Sequence, residues 1–186
     1  IYRKDVLDEL LKQITKKTKI ISTTGFTSRE IYQLRKERNY QNGKDFYMVG
    51  GMGHAGMVSL GVAINEKNQI ICLDGDGSIL MHMGSLKTQG LFGRTNFKHI
   101  LLNNNCHESV GGQETFAEST NFPKLCKMLG YKNVFEVSYK KDLKKKLNSF
   151  LKSNGPSFLE IKIRTGTLKN LIRPNSFLSI KNNFYK

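Results

Sequence analysis

The chain is short of cysteine, of long apolar runs and, in its last third, of acidic residues. Its 186 residues include three cysteines, Cys72, Cys106 and Cys126, an odd number without the spacing of a zinc site or a disulfide framework. We therefore expect reduced thiols and a cytoplasmic location. No apolar run approaches the roughly 18 residues that a membrane-spanning helix needs. No basic segment followed by an apolar stretch predicts secretion.

The shortage of acidic residues leaves a formal net charge of +15 that is concentrated near one end. Residues 119–186 contain 15 lysines and arginines but only 3 acidic residues. Many of these cations lie in 140–147, where Leu143 and Leu147 recur as on the apolar face of an amphipathic helix. We interpret the lysines as a solvent face, because no nucleic-acid motif or interleaved aromatic residues accompany them. A binding module for nucleic acid or an acidic protein stays open as the weaker alternative, and it predicts binding that falls steeply with salt.

Strand and helix patterns alternate along the chain, with no internal repeat. The alternation predicts a three-layer α/β/α fold with a mainly parallel sheet and right-handed crossovers, and the length suits a single domain over residues 1–186. The predicted strands are Lys19–Ser22, Phe46–Val49, Ile70–Leu73, Phe97–Leu102, Val134–Val137 and Ser157–Ile163. The predicted helices are Asp5–Lys17, a segment through Ile31 and Leu34, Ala55–Ile64, Ile79–Leu91, Phe122–Leu129 and Leu143–Leu151.

Two polar motifs follow neighbouring apolar strands. The segment Gly75-Asp76-Gly77-Ser78 follows Ile70–Leu73, and Asn104, 28 positions after Asp76, follows Phe97–Leu102. The carboxyl ends of parallel strands meet at one edge of the sheet, so we expect Asp76, in a loop, to face Asn104. A carboxylate and an amide oxygen suit Mg²⁺, which completes its shell with water and phosphate oxygens, and glycines allow close approach of a charged ligand. The alternative is a pair of ordinary polar turns.

This pair of motifs resembles the cofactor anchor of thiamine-diphosphate enzymes, a Gly-Asp-Gly followed at this distance by paired asparagines. Segments 76–86 and 102–113 are similar to those of phosphonopyruvate decarboxylases, with sulfopyruvate decarboxylases as near relatives, and the likeness runs from about Ile20 to Pro174. It implies decarboxylation of a 2-keto acid, in the first instance 3-phosphonopyruvate to phosphonoacetaldehyde and CO₂. A sulfopyruvate decarboxylase subunit and another thiamine-diphosphate lyase or carboligase are the alternatives. Val110 stands where pyruvate decarboxylases have a catalytic glutamate, so simple pyruvate decarboxylation is disfavoured.

The resemblance also implies roles for individual residues. The predicted Mg²⁺ ligands are Asp76, Asn104 and the backbone carbonyl of Cys106. Met52 is the predicted wedge under a bent cofactor, a role that suits a flexible thioether, although a methionine is more commonly a core residue. The remaining predicted cofactor contacts are Gly50 and Gly51 for the aminopyrimidine, and Thr24, Gly25, Gly75, Gly77, Ser78, His107, Glu108 and Ser109 for the diphosphate end.

Histidines are the candidate proton donors, because only histidine titrates near neutrality without a shifted pKa. His54 and His107 each lie beside a predicted cofactor loop, and a catalytic role for them is weighed against simple loop packing. His82 follows the predicted metal loop on a helix and is predicted to be structural. His99 precedes a buried strand and is also predicted to be structural.

One part of such an enzyme is absent from the sequence. The family activates its aminopyrimidine with a glutamate from a separate pyrimidine-binding domain, and nothing before Ile20 is long enough to form one. The chain is therefore expected to be the diphosphate-binding half, either a separate subunit or a fragment of a longer enzyme, inactive without its partner. The expected partners are a small-molecule 2-keto acid, the pyrimidine-binding domain or subunit, and further copies in a homo- or hetero-oligomer. No membrane partner is expected.

Overall fold

A single parallel β-sheet forms the centre of the molecule. The computed structural model describes residues 1–37 and 43–185. Within them, six strands pair in parallel in the order β2-β1-β3-β4-β6-β5. The strands are β1 Lys19–Ser22, β2 Lys44–Tyr47, β3 Ile70–Gly75, β4 Phe97–Asn103, β5 Asn133–Val137 and β6 Ser157–Lys162.

Helices cover both faces of this sheet, as the alternation predicted. They are α1 Arg3–Gln13, α2 Phe26–Glu37, α3 Ala55–Asn65, α4 Asp76–Met81, α5 Ser85–Phe92, α6 Phe122–Met128, α7 Lys140–Lys152 and α8 Phe177–Tyr185, with a short 3₁₀ turn at Ala117–Ser119. One core layer includes Leu7, Ile31 and Leu147 from α1, α2 and α7. The other includes Ala63, Leu86 and Cys126 from α3, α5 and α6. The predicted three-layer α/β/α fold is confirmed.

The strand order reverses direction between β1 and β3. From β1 the chain moves outward to β2, whereas from β3 it moves the other way to β4. The loops after β1 and β3 therefore diverge and leave a crevice between them at the carboxyl edge of the sheet. Open α/β sheets bind ligands at such a switch point. Asn104 follows β4, the next strand along.

The segment after β3 differs from the prediction. Asp76 is not in a loop but is the first residue of α4, preceded by Gly75 in an extended conformation (φ −115°, ψ 157°). A carboxylate is favoured in the first turn of a helix, which accounts for the early start. The predicted helix Ile79–Leu91 is two helices, α4 and α5, separated at 82–84, where Gly84 weakens helix propensity.

The β2 edge of the sheet also differs. β2 begins and ends two residues earlier than predicted, at Lys44 and Tyr47, because the polar residue Asp45 is buried in it as the partner of Arg35 (2.7 and 3.0 Å). Helix α8, where no element was predicted, packs against β2. Its Phe184 is buried and meets Phe46 with ring centroids 5.6 Å apart. This helix covers what would otherwise be an open strand edge.

One simpler prediction concerns the basic segment 140–147. Helix α7 buries Leu143, Leu147 and Phe150 and exposes its lysines, so the amphipathic interpretation of the basic segment is confirmed. The three cysteines carry no disulfide. None of the helices in residues 1–37 and 43–185 combines the length and apolar character needed to cross a bilayer.

Candidate cofactor site

A cavity of about 200 Å³ lies at the switch point, at the carboxyl edge of the sheet. It is open to solvent and lined by the loops after β1, β3 and β4, with Met52 from the turn after β2. Most of the residues predicted from the sequence line it. They are Thr24, Gly25, Met52, Gly75, Asp76, Gly77, Ser78, Asn104, Cys106, His107, Glu108 and Ser109.

Three predicted residues do not line this cavity. Gly50 and Gly51 lie in the turn after β2, both with positive φ (69° and 56°). His54 precedes α3 and is exposed, with its ring centroid 4.3 Å from that of His82. His82, predicted to be structural, is an exposed residue at the end of α4. The two histidines therefore form a surface pair beside the cavity rather than within it.

Asp76 is a buried polar side chain of the cavity lining. It is 2% exposed and accepts a hydrogen bond from the Thr115 hydroxyl. Burial raises the pKa of its carboxyl above the usual value, and hydrogen bonds from Thr115 and from the backbone of Asn104, with nearby His107, partly offset that rise. The effect of the Asn104 backbone on this pKa places the loop after β4 near the start of α4. A cation at this point would favour the ionised carboxylate further.

Asn104 is held in one orientation. Its Nδ2 donates to Glu108 Oε2 at 3.0 Å, and its Oδ1 accepts from the Cys106 N–H at 3.2 Å. The Cys106 backbone forms an isolated antiparallel β-bridge with the backbone of Glu114. The hydrogen bonds of this bridge are donated by the His107 N–H and the Thr115 N–H. The Cys106 carbonyl accepts neither of these two hydrogen bonds. One carboxylate oxygen, one amide oxygen and one backbone carbonyl thus occur together at this edge.

Two glycines allow the loops to approach closely. A Cβ on Gly77 would lie 2.4 Å from His107 Cε1, so the imidazole packs directly on the backbone of α4. Gly25 has φ +98°, and a Cβ there would lie 2.9 Å from Ser109 Oγ. Any other residue at either position would push the loop after β4 away from its neighbour.

Ser78 connects the loops after β1 and β2. Its buried hydroxyl accepts hydrogen bonds from the Thr23 hydroxyl and from the Gly53 N–H, both at 3.0 Å. A serine oxygen has two acceptor sites and one donor proton. Both acceptor sites are used here, so the remaining proton is available to an anionic ligand.

Several cavity residues were missed from the sequence. Arg3, at the start of α1, is 4% exposed, and its Nη2 lies 2.6 Å from Glu108 Oε2 while Nη1 lies 3.8 Å from Glu30. Burial raises the pKa of the Glu30 carboxyl, and Arg3 partly offsets that rise. Arg29 of α2 also lines the cavity. No local pattern marks these residues, because their partners are far away in the sequence.

A buried polar chain lies beneath the cavity. Asp74 Oδ1 accepts from the Gly75 N–H (3.0 Å), and Oδ2 lies 3.4 Å from His99 Nε2. His99 Nδ1 lies 3.0 Å from the Tyr131 hydroxyl, which donates to Gln89 Oε1 at 2.8 Å. His99 is inside β4 rather than before a strand, and it is completely buried. Through Asp74, this series of polar contacts holds Gly75, the residue that immediately precedes Asp76.

The fold and the cavity define an open α/β domain that binds its ligand at the topological switch point, with an acidic and glycine-lined loop after β3. A family model for the C-terminal thiamine-pyrophosphate-binding domain of thiamine pyrophosphate enzymes matches residues 21–161. The chain belongs to this family. The family predicted from the two polar motifs is thereby confirmed.

Named relatives agree with this assignment. The chain is 38% identical over 168 residues to a phosphonopyruvate decarboxylase of Streptomyces viridochromogenes, covering 90% of this chain and 41% of that protein. It is 34% identical to a sulfopyruvate decarboxylase subunit beta of Methanocaldococcus jannaschii, covering 78% of this chain and 77% of that subunit. The chain thus spans about two fifths of the first relative and most of the second.

A solved structure supports the fold independently. A 2-oxoglutarate:ferredoxin oxidoreductase from Magnetococcus marinus superposes with a TM-score of 0.70, covering 91% of this chain and 62% of that one, at 15% identity. At this identity the likeness concerns the fold alone.

Proposed function

We propose that this chain binds thiamine diphosphate and Mg²⁺ and forms one half of the active site of a 2-keto acid decarboxylase. The observation that carries the proposal is the junction of Asp76 and Asn104. The two side chains line one cavity, and the backbone of Asn104 lies near enough to the Asp76 carboxyl to lower its pKa. Family membership supplies the cofactor.

The donor set fits the metal. Asp76, Asn104 and the Cys106 carbonyl offer only oxygen atoms, which Mg²⁺ prefers, and an octahedral ion has positions left for diphosphate and water oxygens. The Asn104 amide is oriented by Glu108, which accepts from its Nδ2 at 3.0 Å. Because Nδ2 is bonded to the Glu108 carboxylate, Oδ1 of Asn104 is the amide atom that would bind the metal. The buried Asp76, whose pKa is raised by desolvation, would be held ionised by the cation.

The diphosphate end and the aminopyrimidine fall to different loops. Thr24, Gly25 and Ser109 meet where a Cβ on Gly25 would touch Ser109, so the backbones there can surround a phosphate closely. The hydroxyl proton of Ser78 would donate a hydrogen bond to the same phosphate. Gly50, Gly51 and Met52 follow β2 and would receive the aminopyrimidine, with Met52 under the bend.

When bound, thiamine diphosphate supplies the carbanion at its thiazolium C2 and the ring that takes up electrons as CO₂ leaves. The chain would orient the cofactor and provide proton donors. His107 lies in the cavity lining and packs on Gly77. His54 lies with His82 beside the cavity. In this proposal it is a proton donor on the side that faces a partner domain.

The substrate proposed is 3-phosphonopyruvate, which would give phosphonoacetaldehyde and CO₂. The support is the 38% identity to a phosphonopyruvate decarboxylase over 90% of this chain. Val110 is 71% exposed in the cavity lining and offers no carboxylate at the place expected of a pyruvate decarboxylase.

A sulfopyruvate decarboxylase subunit is the second candidate. The relative from Methanocaldococcus jannaschii is itself called a subunit, and this chain covers 77% of it. A chain of this kind would work beside a separate pyrimidine-binding subunit. In both candidates the activating glutamate would belong to a pyrimidine-binding domain or subunit.

A chimera tests the proposed function. This chain would replace the matching 168-residue segment of the Streptomyces viridochromogenes enzyme, and CO₂ release would be measured from phosphonopyruvate, sulfopyruvate and pyruvate. We expect turnover of one of the two acidic-tailed substrates above that of pyruvate, and loss of turnover with Asp76→Ala. Full turnover by the chain alone would contradict the need for a partner. A folded chimera that binds the cofactor but releases no CO₂ from any of the three would contradict the proposed reaction.

A further inference from the structure

A second cavity adjoins the proposed cofactor cavity. It has a volume of about 220 Å³ and shares Thr24, Gly25 and Arg29 with the first. Its remaining wall comes from the segment after β2 and from the chain before and at the start of α8, including Arg173 and Phe177. The two cavities therefore meet at the turn after β1.

The charges in this second cavity are all positive. Its lining contains Arg29 and Arg173 and no acidic residue. Arg3, the other arginine of the cofactor cavity, is neutralised by Glu108 at 2.6 Å. Within residues 1–37 and 43–185, by contrast, neither Arg29 nor Arg173 forms an ion pair with a carboxylate. Two guanidinium groups thus face one cavity without a counter-charge from the described residues.

The remaining surface of the cavity is suited to a short carbon chain. Met48, Val49, Pro174 and Phe177 supply apolar contacts. Arg29 lies over the Phe26 ring, with 5.7 Å between Cζ and the ring centroid, a stacking that limits the positions of the guanidinium. Guanidinium groups bind phosphonate, sulfonate and carboxylate oxygens in paired, charge-assisted hydrogen bonds.

We propose that Arg29 and Arg173 form the binding site for the second acidic group of the substrate, a tetrahedral oxyanion on the third carbon of a 2-keto acid. This inference rests on the proposed function, since it assumes that the ketone sits over the cofactor in the adjoining cavity. It makes the two arginines determinants of specificity. A substrate with an uncharged third carbon, such as pyruvate, leaves both cations unpaired.

Binding of unreactive anions tests the site. Phosphonoacetate and sulfoacetate carry the two candidate oxyanions and no keto group, and propionate carries a carboxylate with no second acid. Each would be titrated calorimetrically into the full chain, with and without thiamine diphosphate and Mg²⁺. We expect at least one of the first two to bind more tightly than propionate, and the stronger of them indicates whether the oxyanion is a phosphonate or a sulfonate.

Variants locate the site. Arg173→Gln and Arg29→Gln should each weaken binding of the preferred probe about tenfold or more, and Arg173→Lys should recover part of the loss. Lys181→Gln, which removes an exposed cation of α8 outside the cavity lining, is the matched control and should change nothing. Equal probe affinity in wild type and Arg173→Gln would overturn the proposal, as would wild-type binding no tighter than that of propionate.

The same samples separate this proposal from the proposed function. Arg173→Gln should retain wild-type affinity for thiamine diphosphate with Mg²⁺. Failure of the wild-type chain to bind the cofactor would count against the proposed function only. Probe binding to the unloaded chain that still depends on Arg173 would then support the anion site on its own, and its absence would overturn it.

Discussion

At the scale of single residues, side-chain hydroxyl groups and closely packed glycines connect the loops of the cavity. The Thr115 hydroxyl donates to the buried Asp76 carboxylate, and Ser78 accepts from both Thr23 and Gly53. The His107 ring packs so closely on Gly77 that a Cβ there would lie 2.4 Å from its Cε1 atom. Because these contacts join loops from different strands, single substitutions are expected to act on several loops together.

Replacing Thr115 with valine should destabilise the fold. The change keeps the shape but removes a hydrogen bond to a carboxylate that is 2% exposed, and such a loss costs about 1–3 kcal/mol of unfolding free energy. It should also weaken Mg²⁺ binding, since the carboxylate loses a contact that holds it in place. Urea unfolding and metal titration measure both effects. Thr115→Ser, which restores the hydroxyl, should recover most of each, and a valine variant as stable as wild type would show that the hydrogen bond is immaterial.

Replacing Gly77 with alanine should displace His107. The new Cβ would lie 2.4 Å from Cε1 of that ring, and overpacking of this kind costs about 1–3 kcal/mol. Gly84→Ala is the control, because no atom lies within 4 Å of a Cβ placed there. Thermal unfolding should show a lowered transition for the first variant only. An unchanged transition for Gly77→Ala would mean that the loop after β4 moves aside freely.

Sequence reasoning predicted the cavity-lining residues that belong to short motifs. Asp76, Ser78 and Asn104 were predicted together because each follows the end of an apolar strand. Thr115 and Arg3 were not, since each is far in sequence from its partner: 39 positions separate Thr115 from Asp76, and 105 separate Arg3 from Glu108. Contacts of this kind become visible only once the strands are in register.

At the scale of elements, the strands were predicted well because most are buried on both faces. β4 is buried along its whole length, so its apolar run is unbroken. The differences from the prediction lie in the segment after β3, where one predicted helix is α4 and α5, and at the β2 edge. Asp45 is buried in β2 as the partner of Arg35, and α8 packs against β2. Neither feature has a local signal.

The docking of α8 can be tested through Phe184. Its side chain is 6% exposed, against Phe46 and the Lys19 ammonium group. Phe184→Ala should lower the unfolding free energy by about 3 kcal/mol and speed amide exchange in β2, because the strand edge becomes uncovered. Tyr185→Ala, at a neighbouring residue that is 75% exposed, should do neither. Unchanged exchange in β2 after the first substitution would show that α8 does not protect the edge.

Lys98 in β4 predicts a dependence of stability on pH. The residue is 1% exposed, and burial lowers its pKa from 10.5 to about 8. Below pH 8 the lysine is charged in both the folded and unfolded states, so the cost of burying the charge is fully present. Between pH 8 and 10.5 the unfolded chain binds more protons, and stability therefore rises with pH.

A Lys98→Met variant isolates this effect. The unfolding free energy of wild type relative to the variant should increase by about 3 kcal/mol between pH 7 and pH 10.5, from about 1.4 kcal/mol per pKa unit. Lys145→Met, at an exposed position of α7, should give a difference that is flat with pH. Urea unfolding across this range measures both. A flat difference for Lys98→Met as well would mean that the lysine stays protonated or reaches water.

At the scale of the whole molecule, the alternation of strands and helices predicts the parallel sheet but not its strand order. The order matters because the reversal between β1 and β3 creates the crevice. It brings the loops after three strands to one place and leaves the exposed pair His54 and His82 beside it. The composition of the chain carries no information about this arrangement, whereas the two polar motifs locate its centre.

Calorimetric titration of thiamine diphosphate into the full chain, with Mg²⁺ and then with a chelator, tests the joint role of Asp76 and Asn104 most directly. We expect binding that requires the metal and is weakened more than about 100-fold by Asp76→Ala, beyond the loss typical of removing an outer partner of a metal ligand. Asp142→Ala on α7, away from the cavity lining, should bind as wild type does. Circular dichroism should show that both variants stay folded. Equal affinity in wild type and a folded Asp76→Ala variant would contradict a metal held between the start of α4 and the loop after β4.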